Sequence, residues 1–206
     1  MIAIPPVTRA LIIANVIVFL LQQVTGTALT ALFALWPFGG PADEPIFQPW
    51  QLLTYSFLHA NFLHIFFNMF ALYMFGSPLE MFWGGRRYAF YYVACVFTAA
   101  ATELIVMNAT QVGGPVVGAS GGVFGLLLAF AWYFPKQRLF IIPIPFPLPA
   151  WLFVTGYAIV ELTLGVTGIE PGVAHFAHIG GMLGGIVLIQ YWRGRLPLKP
   201  KRQLLR

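Results

Sequence analysis

The sequence predicts an all-α membrane protein, a bundle of six transmembrane helices with an interfacial outer loop after the first. Three observations predict it. Hydrophobic residues make up 59% of the chain and charged residues only 8%, whereas a soluble domain carries about 25% charged residues. Bilayer is therefore the main solvent. Six apolar stretches approach the ~20 residues that a helix needs to cross the hydrocarbon core. All 11 Lys and Arg residues fall on one side of a six-span arrangement, and a count of five or seven would break that segregation.

The spans lie at roughly 9–29, 57–76, 87–107, 116–134, 149–168 and 173–192, with ends uncertain by several residues. The first starts at Arg9 and lacks a small-x-small cleavage site, so it is expected to be an uncleaved anchor. Arg86 and Arg87 separate the second and third spans, Lys136 and Arg138 follow the fourth, and the remaining basic residues, Arg193 to Arg206, follow the sixth. The opposite loops hold Asp43, Glu44 and Glu170 and no basic residue. By the positive-inside rule both termini are cytoplasmic. The chain 1–206 then forms a single membrane domain, and its basic tail, 193–206, contacts anionic lipid headgroups. This placement accounts for the net charge of +5 without a nucleic-acid partner. A short, bare six-span core fits a bacterial inner membrane.

Two loops stand out. Residues 30–50 set Pro37, Pro41, Pro45 and Pro49 among Trp36, Phe38, Phe47 and Trp50. Proline forbids a continuous helix there, and the aromatics suit the headgroup layer. Residues 141–149 alternate proline with apolar residues, which predicts an extended, stiff connector. The single cysteine, Cys95, sits inside the third span and reads as a small buried hydrophobe.

The polar residues inside the spans carry the chemistry. Unpaired polar groups in lipid cost several kcal/mol. Ser120 lies about four residues into the fourth span; His178 lies about five into the sixth, with His175 nearer its start. His64 and Asn68, four apart on the second span, share a helix face, and His59 precedes them. His64, Asn68, Ser120 and His178 all fall in the outer third. Gly121 and Gly125 on the fourth span, and the pairs Gly180–Gly184 and Gly181–Gly185 on the sixth, give small-xxx-small faces that let membrane helices approach closely. Such an approach brings Ser120 within reach of His178, a nucleophile and its base. No acidic residue shares a helix with either, so a dyad is expected rather than a triad. His64 and Asn68 are side-chain donors suited to an oxyanion hole. The Ser120 amide, in a first helical turn whose N–H groups lack intrahelical partners, is a third donor. Glu103 and Glu161, near span ends, are expected to be structural and in reach of water, and His59 and His175 to lie near the water boundary.

His59-x4-His64-x3-Asn68, Gly118-x-Ser120-Gly121 and Ala177-His178-x-Gly180-Gly181, in that order on the second, fourth and sixth spans, resemble the rhomboid intramembrane serine proteases. The resemblance runs from about Trp50 to Gly185. It implies Ser120 as nucleophile and His178 as general base. It implies His64, Asn68 and the Ser120 amide as oxyanion donors, and Gly118, Gly121, Phe124 and Gly181 in support. It further implies a water-filled cavity open to the outer side. Transmembrane segments of other proteins would enter it sideways near the second and fifth spans. No cofactor or metal is implied. Three positions depart from the family pattern. Phe124 stands where many members have tyrosine. Trp50-Gln51 replaces a Trp-Arg pair, and Glu80-Met81-Phe82 lacks the arginine of Glu-x-Arg. The last two bear on loop stability and lipid contacts.

Two other classes compete. A catalytically inactive binder of transmembrane clients is the alternative, though it does not require both Ser120 and His178. A metal or haem site built from His59, His64, His175 and His178 has the right ligand type, but there is no HExxH helix. A transporter would call for repeat halves or paired broken helices, and the sequence has neither.

Overall fold

The computed structural model describes residues 4–39, 44–111, 114–140, 146–169 and 173–198. Each of the six apolar stretches falls on a helix. The first is α1 (Pro6–Thr25). The outer segment that follows folds as α2 (Ala28–Phe33), an extended stretch and α3 (Gln51–Thr54), which tightens into a 3₁₀ turn at Tyr55–Phe57. The second span is α4 (Phe62–Ala71), a π turn at Leu72–Gly76 and α5 (Ser77–Trp83). Then come α6 (Gly85–Thr110), α7 (Ser120–Tyr133), a two-residue ribbon of β1 (Arg138–Leu139) antiparallel to β2 (Leu148–Pro149), α8 (Ala150–Thr167) and α9 (His175–Trp192).

Four of these helices are long and apolar enough to cross a membrane: Pro6–Thr25, Phe62–Trp83, Gly85–Thr110 and Ala150–Thr167. The other two expected spans do not meet that measure. In α7 the apolar helix is 14 residues long, about 21 Å at 1.5 Å per residue. Two histidines, Gln190 and a run of glycines interrupt the apolar character of α9. The expected connector at 141–149 and the basic tail fall largely outside the described residues.

Local chemistry sets the helix ends. Pro6 occupies the first turn of α1, where a missing N–H costs nothing. The carboxylate of Glu80, brought by α5, accepts from Val7 N (2.9 Å), Thr8 N (2.7 Å) and Thr8 Oγ1 (2.8 Å). Glu80 thus finds its donors at the α1 N-terminus, with its unpaired N–H groups and positive dipole end, and needs no arginine two residues on. Asn61 caps α4 by accepting from His64 N at 2.9 Å. Gln51 answers the other departure. It is 1% exposed, accepts from Trp36 N and Gln48 N, and donates to Leu32 O. A neutral amide can both donate and accept, so it satisfies the backbone of the outer loop from inside.

At the centre stands α6, with Tyr88, Tyr91, Tyr92, Cys95, Val96, Ala99 and Ala100 buried. Glycines let α7 and α9 close on it. Added Cβ atoms on Gly122 and Gly125 would strike Tyr92 and Cys95, and on Gly180 and Gly184 they would strike Thr102 and Thr98. The pair Gly180–Gly184 therefore faces α6 rather than α7, a correction to the expected pairing. Both threonines satisfy their own hydroxyls on backbone carbonyls one turn back. On the outside, α1, α4 and α8 present Ile17, Leu20, Phe62, Phe67, Ile159 and Val166 to the surroundings. Such a face is stable only against lipid or another apolar surface. At one end of the bundle the starts of α1 and α6 meet the ends of α5, α7 and α9. Trp83 packs on Trp192 with centroids 5.5 Å apart, and Arg193 lies over Trp132. Arg9, Arg86, Arg87 and Arg193 belong to this end.

Candidate active site

The site lies at the opposite end, where α7 and α9 begin. A sharp connection precedes α7. Gly118 has φ +131, a conformation that side chains disfavour, and its N–H donates to Tyr55 O at 3.0 Å. Val116 and Leu35 exchange both backbone hydrogen bonds at 3.0 Å, which ties this connection to the outer loop. A Cβ on Gly118 would lie 2.8 Å from His64 Nε2 and 3.6 Å from Ser120 Oγ. The imidazole edge of His64 and the Ser120 hydroxyl therefore both lie beside Gly118, where a side chain would crowd His64.

Ser120, half-buried, is the first residue of α7, so its N–H has no partner within the helix. The depth of α9 is set from α6. Buried Glu103 accepts from Ala177 N at 2.9 Å, a carboxylate on the first helical turn. Gly181 packs directly on the Gly121 carbonyl, where a Cβ would collide. With both helices so placed, His178 Nε2 lies 2.8 Å from Ser120 Oγ, across 58 residues of sequence. Phe124 stacks on the His178 ring, with centroids 4.1 Å apart and planes within 5°. The expected contact between Ser120 and His178 is present, as is the expected packing of Phe124.

His64 Nδ1 accepts from Ala60 N at 3.4 Å. A neutral imidazole whose Nδ1 accepts carries its proton on Nε2, the nitrogen beside Gly118. Asn68 is buried and donates one amide proton to His64 O, one turn back on α4, at 2.9 Å. His59 is 2% exposed and packs edge-on against His64 at 5.1 Å. It is therefore buried rather than at the water boundary.

The group on the far side of His178 was not legible in the sequence. Glu161 of α8 is 4% exposed, not in reach of water. Its Oε2 lies 2.8 Å from His178 Nδ1 and 2.7 Å from His175 Nδ1. No acidic residue of α7 or α9 accompanies the pair, as expected, but a carboxylate from a third helix, which the expected dyad left out, reaches His178. Depth matching, once the helix ends are known, finds it. Glu161 lies six residues before the end of α8 at Thr167, and His178 three after the start of α9 at His175, so the two fall at similar depth. The potential ligand atoms of Glu161, His175 and His178 all lie within 4.8 Å of one another. Two atoms bound to one tetrahedral zinc sit about 3.4 Å apart, given bonds near 2.1 Å. The 2.7 and 2.8 Å separations here are those of hydrogen bonds. His59 and His64 lie outside this cluster.

Residues 47–195 match the family model described as a Rhomboid domain. The mitochondrial presenilin-associated rhomboid-like protein of Bos taurus is 30% identical over 91% of this chain and 50% of its own length. Rhomboid protease GluP of Bacillus subtilis is 27% identical over 88% of this chain and 34% of its own. RHOMBOID-like protein 4 of Arabidopsis thaliana is 32% identical over 68% and 33%, respectively. The chain spans half the length, or less, of these relatives. Mitochondrial and bacterial proteins both occur among them, so similarity gives no preference for the bacterial inner membrane expected from chain length.

Proposed function

Because the chain belongs to the rhomboid family, we propose that it is an intramembrane serine endopeptidase that hydrolyses peptide bonds in or near transmembrane segments of membrane proteins. The observation that carries the reading is the 2.8 Å contact between Ser120 Oγ and His178 Nε2, in a half-buried position at the outer end of the bundle. Ser120 Oγ attacks the scissile carbonyl as its proton passes to His178 Nε2. The oxyanion that forms accepts from the Ser120 N–H, from Nε2–H of His64 and from the second amide proton of Asn68. Collapse expels the amine, which takes the proton from His178. Water then hydrolyses the acyl-enzyme by the same steps in reverse.

In this reading all six apolar helices span the bilayer, both termini are cytoplasmic, and the basic end of the bundle meets anionic headgroups. Substrate helices reach the site between α4 and α8, which flank it with His64 on one side and Glu161 on the other. Substrates and lipids are the partners, and no cofactor takes part.

The test is incubation of purified protein with a panel of single-span membrane proteins in detergent, with the cut mapped by mass spectrometry. Cleavage is expected from the wild type and none from a folded Ser120→Ala variant. Cleavage that survives Ser120→Ala overturns the assignment. Failure of a fluorophosphonate to label Ser120, with no substrate cut, would favour client binding without proteolysis.

A further inference from the structure

We propose that Glu161 is a positioning residue for the reaction. Its carboxylate selects the tautomer of His178 that can act as a base, and His175 holds the carboxylate in place. This rests on the serine-protease reading above. A carboxylate only accepts hydrogen bonds. The 2.8 Å contact to Glu161 Oε2 therefore puts the ring proton of His178 on Nδ1 and leaves the lone pair on Nε2, which faces Ser120 Oγ at 2.8 Å. With the other tautomer Nε2 already bears a proton and cannot take the serine's. Stacking on Phe124 cannot make this choice. Contact at 4.1 Å fixes the plane of the ring, and both nitrogens lie in that plane. Direction has to come from a hydrogen bond at Nδ1, and Glu161 supplies it.

His175 explains why Glu161 stays put. Its Nδ1 reaches the same oxygen at 2.7 Å, so one buried carboxylate oxygen takes two N–H donors spaced one turn apart on α9. The proton balance is simple. The Ser120 proton passes to His178 Nε2 and then to the leaving amine, while Glu161 stays ionised opposite the imidazolium that forms. The arrangement is a chain of four groups, Ser120–His178–Glu161–His175, drawn from three helices.

The test measures kcat and KM on a cleavable single-span substrate for wild type, Glu161→Ala and the near-isosteric Glu161→Gln. It adds nitrogen-15 NMR of histidine-labelled protein, where only four histidines give signals. In wild type, His178 should be protonated at Nδ1. Glu161→Ala should lower kcat by about 10²–10⁴-fold at nearly constant KM, and His178 should shift toward protonation at Nε2. Glu161→Gln keeps an acceptor oxygen but loses the charge, and should lower kcat by about 10-fold or more. A kcat near the wild-type value in either variant, or an unmoved His178 tautomer in Glu161→Ala, overturns the proposal. Should Glu161→Ala not fold, the kcat of Glu161→Gln decides alone. Ser120→Ala is run alongside. If it is inactive while the Glu161 variants cleave normally, the positioning role fails and the protease reading stands. If Ser120→Ala cleaves, the protease reading itself fails.

Discussion

Substituting Gly181→Ala tests the helix contact on which the site depends. The added Cβ would collide with the backbone carbonyl of Gly121, which cannot rotate away as a side-chain tip could. Ordinary contact begins near 3.4 Å, so α7 and α9 must part by roughly 1 Å or more, at a cost of about 1–3 kcal/mol. Ser120 lies one residue before Gly121, and His178 lies three before Gly181. The same displacement therefore stretches the 2.8 Å Ser120–His178 contact to nearly 4 Å, beyond general-base reach. A misplacement of that size costs about 10²-fold in rate. Gly156→Ala is the control. Nothing lies within 4 Å of a Cβ there, and alanine is the better helix former by about 1 kcal/mol. The assay is substrate cleavage in detergent, paired with thermal unfolding followed by tryptophan fluorescence. Gly181→Ala should lose activity out of proportion to its stability, and Gly156→Ala should lose neither. Wild-type cleavage by Gly181→Ala would refute the idea that direct backbone contact sets the catalytic distance.

Asn68→Ala should lower kcat by about 10²–10³-fold if its free amide proton meets the oxyanion, with KM little changed; a normal kcat would confine Asn68 to its bond with His64 O. Glu80→Ala strands three donors at the start of α1, two of them buried, and should destabilise the fold by about 2–4 kcal/mol. Cleavage per folded molecule should hold, because Glu80 and the start of α1 lie at the end of the bundle opposite Ser120 and His178. An unchanged unfolding temperature would refute the capping role.

The helices and the candidate pair of Ser120 and His178 were legible in the sequence. These follow from residue type and linear spacing: about 20 apolar residues make a span, and 1.5 Å per residue converts position into depth. The small-residue pairs on both helices anticipated that α7 and α9 approach closely, but not that Gly181 packs on the Gly121 carbonyl. What linear spacing leaves open is the rotation of each helix about its axis and the identity of its neighbours. Tertiary structure alone decided that Gly180 and Gly184 turn to α6, and that Glu80 and Glu103 cap helices 72 and 74 residues away. It also decided that Glu161, which looked like a carboxylate bound for water, is buried between two imidazoles. A buried carboxylate must find hydrogen-bond donors, but which donors it finds depends on which helices pack beside it. That is a property of the assembled bundle.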